Sequence, residues 1–175
     1  MTVPGNPAFA APSTYGQPAP VPSRPLTATL AFSGALLAGL FTVLGAVLLI
    51  VTAKDTAKQA AADLLGVDPS DIGSDFDSDL DTAAHTLVVR GILGLISGAL
   101  VIAVALALRN AALWARIVET VLLVGGLCTN GLVLRDVAPA ATKGLDIAAV
   151  LVSLVAVVLM FLPPTNAYAA ARKRA

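Results

Sequence analysis

Few residues of this chain could do chemistry in an apolar environment, and Glu119 is the most informative of them. It lies within the apolar run from Leu113 to Leu134, and a carboxylate at mid-membrane costs about 2.5–3.5 kcal/mol on insertion scales, and less near the surface. Arg116 precedes it by three residues, so the two would share a helix face and form an ion pair. The pair could serve as a gate, proton site or ion site. We favour a structural ion pair near the membrane surface that fixes the depth of the helix.

Other polar residues border the apolar runs. Arg90 lies about one turn inside the second run, where it could extend to the surface or pair with an acidic residue; substrate binding is the less favoured alternative. Arg109, with Asn110, marks a very short turn before the third run. Arg90 and Arg109 are therefore candidate interfacial residues. His85 is the only histidine, and without a second histidine or cysteine nearby it predicts no metal site.

An acidic run from Asp75 to Asp81 alternates aspartate with phenylalanine, serine and leucine. Its composition is similar to that of oxygen-rich calcium loops, but it lacks the glycine and the final glutamate of an EF-hand loop. On a helix, alternating aspartates would point to different faces. We therefore expect a solvated acidic surface, and no metal or cofactor.

Enzyme and nucleic-acid signatures are missing from the sequence. It contains no GxSxG, no HExxH and no glycine-rich phosphate loop after a strand. The single cysteine, Cys128, can form no internal disulfide. A formal net charge of zero gives no basic bias toward nucleic acid. We expect a protein that is not an enzyme and does not bind nucleic acid.

Four long apolar runs must position these residues. The chain is 57% hydrophobic and 13% charged, against roughly 25% charged residues in an average soluble domain, so its apolar excess requires lipid. Backbone donors cannot stay unpaired in hydrocarbon, which makes each run a helix. The predicted fold is an all-α integral membrane four-helix up-down bundle over residues 28–162, with spans at about 28–53, 87–108, 113–134 and 145–162.

Three segments lie outside the predicted spans. Residues 1–27 contain seven prolines, which predicts a disordered cytoplasmic tail. Residues 54–86 hold eight of the eleven acidic residues and are predicted to form an acidic extracytoplasmic helical hairpin, whose first helix Gly66 and Pro69 end. Residues 163–175 follow the fourth span and are predicted to be a basic cytoplasmic tail.

The balance of basic residues predicts that both termini are cytoplasmic, in a multi-pass protein of the cell membrane. Four spans place both termini on one side, and cytoplasmic segments carry the excess of lysine and arginine. The side of the termini would carry six basic residues and the other side five, namely Arg24, Arg109, Arg116, Arg172, Lys173 and Arg174 against Lys54, Lys58, Arg90, Arg135 and Lys143.

Small residues recur along the first two spans. Gly39 lies in the first, and Gly94 and Gly98 form a GxxxG pair in the second. Small residues let helix backbones approach closely, which stabilises helix association in lipid. We expect these glycines to close the interior of this bundle; a homo-oligomeric contact is the alternative.

Two short motifs add a resemblance. The turn before the third span reads RNAALWARIV over residues 109–118, and the chain reads LPPTNAY over residues 162–168. In these motifs and in its whole architecture the chain resembles small four-span membrane proteins of unknown function found in actinobacteria. The resemblance implies no activity and no functional site. Trp114 and Tyr168 are predicted to join one interfacial aromatic belt, where Arg116 meets lipid headgroups.

The expected function is that of a non-catalytic accessory or scaffold subunit, which contacts another membrane protein of the cell envelope as well as the lipid bilayer. The support is the scarcity of polar residues deep in the spans and the presence of two protruding regions. The alternative is a small oligomeric transporter or channel that uses Glu119 and Arg90. A pathway needs polar groups at similar depth on several spans, and these two residues are predicted near opposite membrane faces. That difference favours the accessory subunit.

Overall fold

The computed structural model describes residues 23–73, 76–108, 113–135 and 138–174, with only the backbone for residues 113, 129–130, 132–135 and 172–174. The proline-rich segment 1–22 and Arg109 lie outside the described residues. The described part is helical and contains no strand, which confirms the predicted all-helical fold class. Its helices are α1 (Leu26–Val51), α2 (Ala53–Leu65), α3 (Asp77–Leu108), α4 (Leu113–Arg135), α5 (Ala140–Phe161) and α6 (Pro163–Arg174), with a 3₁₀ turn at Pro69–Asp71.

Three of the described helices, α1, α3 and α5, are long and apolar enough to cross a membrane. They contain 26, 32 and 22 residues, and about 20 apolar residues suffice to cross the hydrocarbon core. These helices indicate a membrane protein. The fourth predicted span, α4, carries Arg116 and Glu119 in its first two turns and is not one of the three.

The side-chain distribution is inverted relative to that of a soluble bundle. The buried core consists mainly of alanines, with Ala35, Ala105 and Ala156 fully buried. Large apolar side chains point outward instead, among them Leu93 on α3 and Val158 on α5, which are 61% and 64% exposed. A water-exposed surface of this kind would associate. Lipid is the environment in which small residues pack the helices together and large residues face out.

Helix α1 lies at the centre, packed along its length against α3 and α5. A β-carbon at Gly34 would lie 3.1 Å from Ala156 Cβ, and one at Gly45 would lie 3.2 Å from Asp146 Oδ1. Residue numbers therefore rise on α1 as they fall on α5, so the two helices are antiparallel. The contact of Gly39 with Gly98 and of Ala46 with Gly91 gives the same relation for α1 and α3. Hence α3 and α5 run in the same direction.

A close helix contact is built from glycines on α1 and α3. A β-carbon at Gly98 would lie 3.1 Å from the carbonyl oxygen of Gly39, and one at Gly39 would lie 3.1 Å from the carbonyl oxygen of Gly98. Gly94 faces Ala46 in the same seam, at 3.0 Å from its β-carbon to a β-carbon built on the glycine. All three predicted packing glycines thus lie between helices of this one chain.

A helical hairpin extends the bundle at one end. Helix α1 ends at Val51 and α2 follows after Thr52, with backbone hydrogen bonds continuing across the junction from Thr56 N–H to Thr52 O. The first helix of the hairpin ends at Gly66, which adopts a left-handed φ of 67°, as the sequence predicts. Helix α2 packs against the first turns of α3 through Ala57 and Ala84.

Two boundaries differ from the prediction. The fourth span was predicted to begin at about residue 145, whereas α5 begins at Ala140, directly after Pro139. Thr142, on its first turn, is 1% exposed and packs inside the bundle, which explains why this polar stretch is helical. After Leu162 the chain begins α6, with Pro163 and Pro164 in its first turn. Proline is tolerated there because first-turn N–H groups have no intrahelical partner.

Candidate functional site

Arg116 lies in the first turn of α4 and is 5% exposed. Its Nη2 atom donates a 2.8 Å hydrogen bond to Oδ1 of Asn166 on α6, and its guanidinium lies 5.5 Å from the centroid of the Phe161 ring. Its Nε atom is buried and has no hydrogen-bond partner among the described residues. The start of α4 and the start of α6 therefore meet at the same end of the bundle.

Glu119 is fully buried on the inner face of α4. Neither carboxyl oxygen has a hydrogen-bond partner within the described part of the chain. The ion pair that the spacing predicts between Arg116 and Glu119 is not formed there; the ion pair that the structure does show joins Lys54 to Asp81. The physical reason is that the Arg116 guanidinium turns toward Asn166 and Phe161, away from the next turn of its own helix.

Asp146 is a second buried carboxyl, which was not predicted from the sequence. It is 5% exposed on α5 and faces Gly45 of α1, where the missing glycine side chain leaves it room. Thr142 lies one turn earlier, and its buried hydroxyl has no hydrogen-bond partner among the described residues. Both residues line a cavity of about 40 Å³ together with Thr42 and Arg90.

A periodic signal could have found Asp146. Buried residues recur on α5 at helical spacing and form one face of small and polar side chains, Thr142, Asp146, Ala149, Ser153, Ala156 and Met160. Because the fourth span was predicted to begin only at about Leu145, Thr142 fell outside it and this face was not recognised. A face of period 3.6 that mixes alanine with aspartate and threonine predicts a packed interior position.

The two buried carboxyls lie near opposite ends of the bundle. Arg116 contacts Phe161 and Asn166, which places Glu119 at the level of the last turn of α5. Asp146 lies in the second turn of the same helix, so the two levels differ by roughly 20 Å at a rise of about 1.5 Å per residue. The two carboxyls therefore do not form one site.

A groove of about 460 Å³ opens between α2 and the first half of α3. Its lining is mainly apolar. Apolar lining residues recur at helical spacing on both helices, as Ala57, Ala60, Ala61 and Leu64 on α2 and Leu80, Ala83 and Leu87 on α3, and Phe76 lies directly before α3. Leu64 is 87% exposed at its rim. This groove was not predicted, although the two apolar stripes that line it are visible in the sequence.

Arg90 is exposed on α3 and lines both the groove and the small cavity beside Asp146. It therefore lies at the junction of the hairpin and the bundle, close to its predicted position near the end of a span. His85 is exposed one turn earlier. Within the described residues, no group of three or more His, Cys, Asp or Glu residues could hold a metal ion.

Trp114 and Tyr168, the two residues predicted to join an aromatic belt, both lie at the end of the bundle where Arg116 lies. Trp114 is 59% exposed in the first turn of α4, and Tyr168 lies on α6 beside Arg116 and Arg24 in a small crevice. No protein-family model, curated protein or solved structure matches this chain. The resemblance to four-span actinobacterial proteins stays a prediction.

Proposed function

We propose that this protein is a non-catalytic, four-span accessory subunit whose hairpin groove binds another membrane protein of the cell envelope. The observation that carries the proposal is the groove between α2 and α3, which has a mainly apolar lining and an exposed apolar rim. The rim residues Leu64 and Phe76 lie outside the apolar part of the bundle. Exposed apolar surface of this kind marks a site of interaction.

The direction of the helices supports four crossings. Because α3 and α5 are both antiparallel to α1, the chain must return across the bilayer between the end of α3 and the start of α5. Helix α4 occupies that interval, contacts both neighbours and has 23 residues. At about 1.5 Å per residue it measures roughly 34 Å, close to the thickness of the hydrocarbon core.

The charge of the hairpin indicates the chemistry of the partner. Residues 54–86 contain eight aspartates and two lysines, and Asp79 lines the groove itself. The matching partner is an amphipathic helical segment with lysine or arginine beside its apolar face. Its apolar face would match the apolar lining of the groove, and its basic residues would match the aspartates. With both termini cytoplasmic, the hairpin and this partner segment lie outside the cytoplasm.

The direct test places a photo-crosslinking residue on α2 in intact cells. Ala61, in the groove, should give a discrete adduct with another membrane protein, and the crosslinked peptide should be basic and apolar. Gln59, which is exposed and does not line the groove, is the matched control and should give none. The adduct should disappear in Leu64→Glu. Equal adducts from both positions, or an acidic crosslinked peptide, would contradict the proposal.

One observation favours a second candidate, a small transporter or channel. Glu119 is a buried carboxyl without a hydrogen-bond partner among the described residues, and such intramembrane groups can carry protons or cations. The levels of Glu119 and Asp146 differ by roughly 20 Å. Between them α5 buries Ala149, Ser153 and Ala156, and one serine hydroxyl among alanines argues against a continuous polar path. Flux measurements in liposomes decide between the two. We expect no specific flux, whereas a wild-type flux that Glu119→Gln abolishes would establish the transporter.

A further inference from the structure

The small cavity beside Asp146 lies between three helices, near the hairpin end of the bundle. Thr42 and Gly45 of α1, Arg90 of α3 and Asp146 of α5 contribute to its lining. Its volume is about 40 Å³, and roughly 10–15 Å³ is enough to hold one water molecule. The cavity therefore has room for a few water molecules and is too small for an organic ligand.

Asp146 is the group in this cavity that most needs a ligand. Its side chain is 5% exposed, and its Oδ1 atom would lie 3.2 Å from a β-carbon built on Gly45. Among the described residues, no hydrogen bond or ion pair is made to Asp146. A buried carboxylate is stable only when its charge and its lone pairs are satisfied. Because Gly45 has no side chain, space remains beside the carboxylate for a small molecule.

The other polar groups of the lining match the hydrogen bonds of a water molecule. Thr42 donates its hydroxyl hydrogen to the carbonyl oxygen of Ala38 at 3.0 Å, so its own oxygen serves as an acceptor. Arg90 carries five N–H donors, and a bridge needs only one of them. A water molecule can donate to Asp146 and to Thr42 and accept from Arg90. Three hydrogen bonds are typical of a buried water.

The charge of the lining favours water over a metal cation. Among the described residues that line the cavity, Asp146 is the only acidic one and Arg90 the only basic one, so their formal charges cancel. A metal cation would add positive charge beside Arg90, and oxygen-binding cations take about six ligands. Thr142 supplies no further ligand, because its hydroxyl is enclosed and its Cγ2 atom is the one that faces Gly45.

We propose that this cavity is a water-binding site, in which ordered water bridges the carboxylate of Asp146 to the guanidinium of Arg90 and the hydroxyl of Thr42. Such water-mediated hydrogen bonds are nearly as favourable in enthalpy as direct ones. The bridge connects α1, α3 and α5 at the base of the hairpin groove, which Arg90 also lines. This site needs no partner protein and is independent of the proposed function.

The direct test measures the transfer of magnetisation from water to alanine methyl groups, by solid-state nuclear magnetic resonance on the full chain in lipid bilayers. Ala46 lines the cavity, whereas Ala35 is buried on the same helix and does not line it. Transfer to Ala46 should be several-fold faster than transfer to Ala35. In Asp146→Leu, which removes the carboxylate and fills the cavity, the two rates should become equal. Equal rates in the wild type, or a fast rate at Ala46 that persists in the variant, would overturn the proposal.

A double-mutant cycle tests whether Asp146 and Arg90 act together. Arg90 is exposed, so Arg90→Gln is expected to fold even if Asp146→Leu does not. The effects of Asp146→Asn and Arg90→Gln on the unfolding equilibrium constant in detergent should deviate from additivity by about twofold or more, as expected within one hydrogen-bond network. Lys58→Gln, which removes a charge from the hairpin, should be additive with Asp146→Asn. Additivity of Asp146→Asn with Arg90→Gln would contradict the bridge.

The salt dependence of the same measurements separates water from a metal cation. Replacing sodium chloride by choline chloride at equal ionic strength should leave the unfolding midpoint and the transfer rate at Ala46 unchanged, because water carries no charge. A midpoint that falls when sodium is removed, and falls less in Asp146→Asn, would show that a cation occupies the cavity and would overturn the proposal.

Discussion

At the scale of single residues, Glu119 shows what spacing alone cannot predict. Two charged residues three positions apart on a helix can pair, and the sequence contains no information about which other groups reach them. In the structure Asn166 and Phe161, from α6 and the end of α5, contact the guanidinium of Arg116. Glu119 is left buried with both oxygens unpartnered among the described residues. The partner of Arg116 is a tertiary contact, so its identity depends on how α4, α5 and α6 meet.

Replacing Glu119 by an apolar residue of similar length should therefore stabilise the protein. We expect Glu119→Met to raise the free energy of unfolding by about 1–3 kcal/mol, the cost of a buried polar group without a partner. Glu119→Gln keeps a polar group in the same place and should change the free energy of unfolding less. Thermal unfolding in detergent measures both. A clear loss of stability in Glu119→Met would contradict the account, since it would mean that the carboxyl has a stabilising partner.

The ion pair of the hairpin makes a prediction about pH. Lys54 Nζ lies 2.9 Å from Asp81 Oδ1, and this hydrogen bond raises the pKa of Lys54 above its ordinary value of 10.5. A raised pKa means that the contribution of the pair is present below 10.5 and is lost as the pH rises through the raised value. Both side chains are exposed, at 82% and 66%, so the effect on stability is small.

Nuclear magnetic resonance of the Lys54 side chain can test this direction. The Cε chemical shift of Lys54, followed through a titration above pH 9, should give a higher pKa in the wild type than in Asp81→Asn. The variant removes the charge of the partner and keeps its size. An identical pKa in both proteins would show that the pair does not form in solution.

At the scale of the elements, the seam between α1 and α3 determines how closely the helices approach. A β-carbon at Gly98 would lie only 2.7 Å from Val43 Cγ2 and 3.1 Å from the Gly39 carbonyl oxygen. The carbonyl oxygen belongs to the backbone of α1, which cannot move away without separating the two helices. The glycines were predicted from the sequence as packing positions because small residues let helix backbones approach closely.

Gly98→Ala should therefore destabilise the bundle by about 1–3 kcal/mol, the usual cost of overpacking. Gly144→Ala is the matched control, because a β-carbon there meets nothing within 4 Å and alanine is the better helix former. Thermal unfolding of the two variants should shift in opposite directions. Equal stability of Gly98→Ala and the wild type would show that the seam is looser than described.

The helices and the packing glycines were largely predictable, and most other contacts between helices were not. Long apolar runs predicted α1, α3 and α5 because a backbone in lipid has to be helical. The first turn of α5 was missed, since Lys143 and Thr142 resemble a loop until the burial of Thr142 is known. The hairpin groove was missed for the same reason. It forms only where the apolar stripes of α2 and α3 lie side by side, and that pairing is a tertiary contact.

At the scale of the whole molecule, the proposed topology has four membrane crossings. Three described helices are long and apolar enough to span, and three crossings alone would place the termini on opposite sides. The parallel direction of α3 and α5 is the reason for proposing α4 as the fourth crossing, despite the charges in its first two turns. Arg116 and Glu119 lie near one end of that helix, where the insertion cost is lower than at the centre.

The measurement that tests this topology most directly is the labelling of single cysteines with an impermeant thiol reagent on intact cells, in a Cys128→Ser background. Cysteines at Ser74, in the hairpin, and at Ala138, between α4 and α5, should both react. Cysteines at Ser13 and Ala111 should react only after the cells are permeabilised. If Ser74→Cys reacts and Ala138→Cys does not, α4 does not cross the membrane and the central claim is wrong; a fully reversed pattern would contradict the assigned orientation.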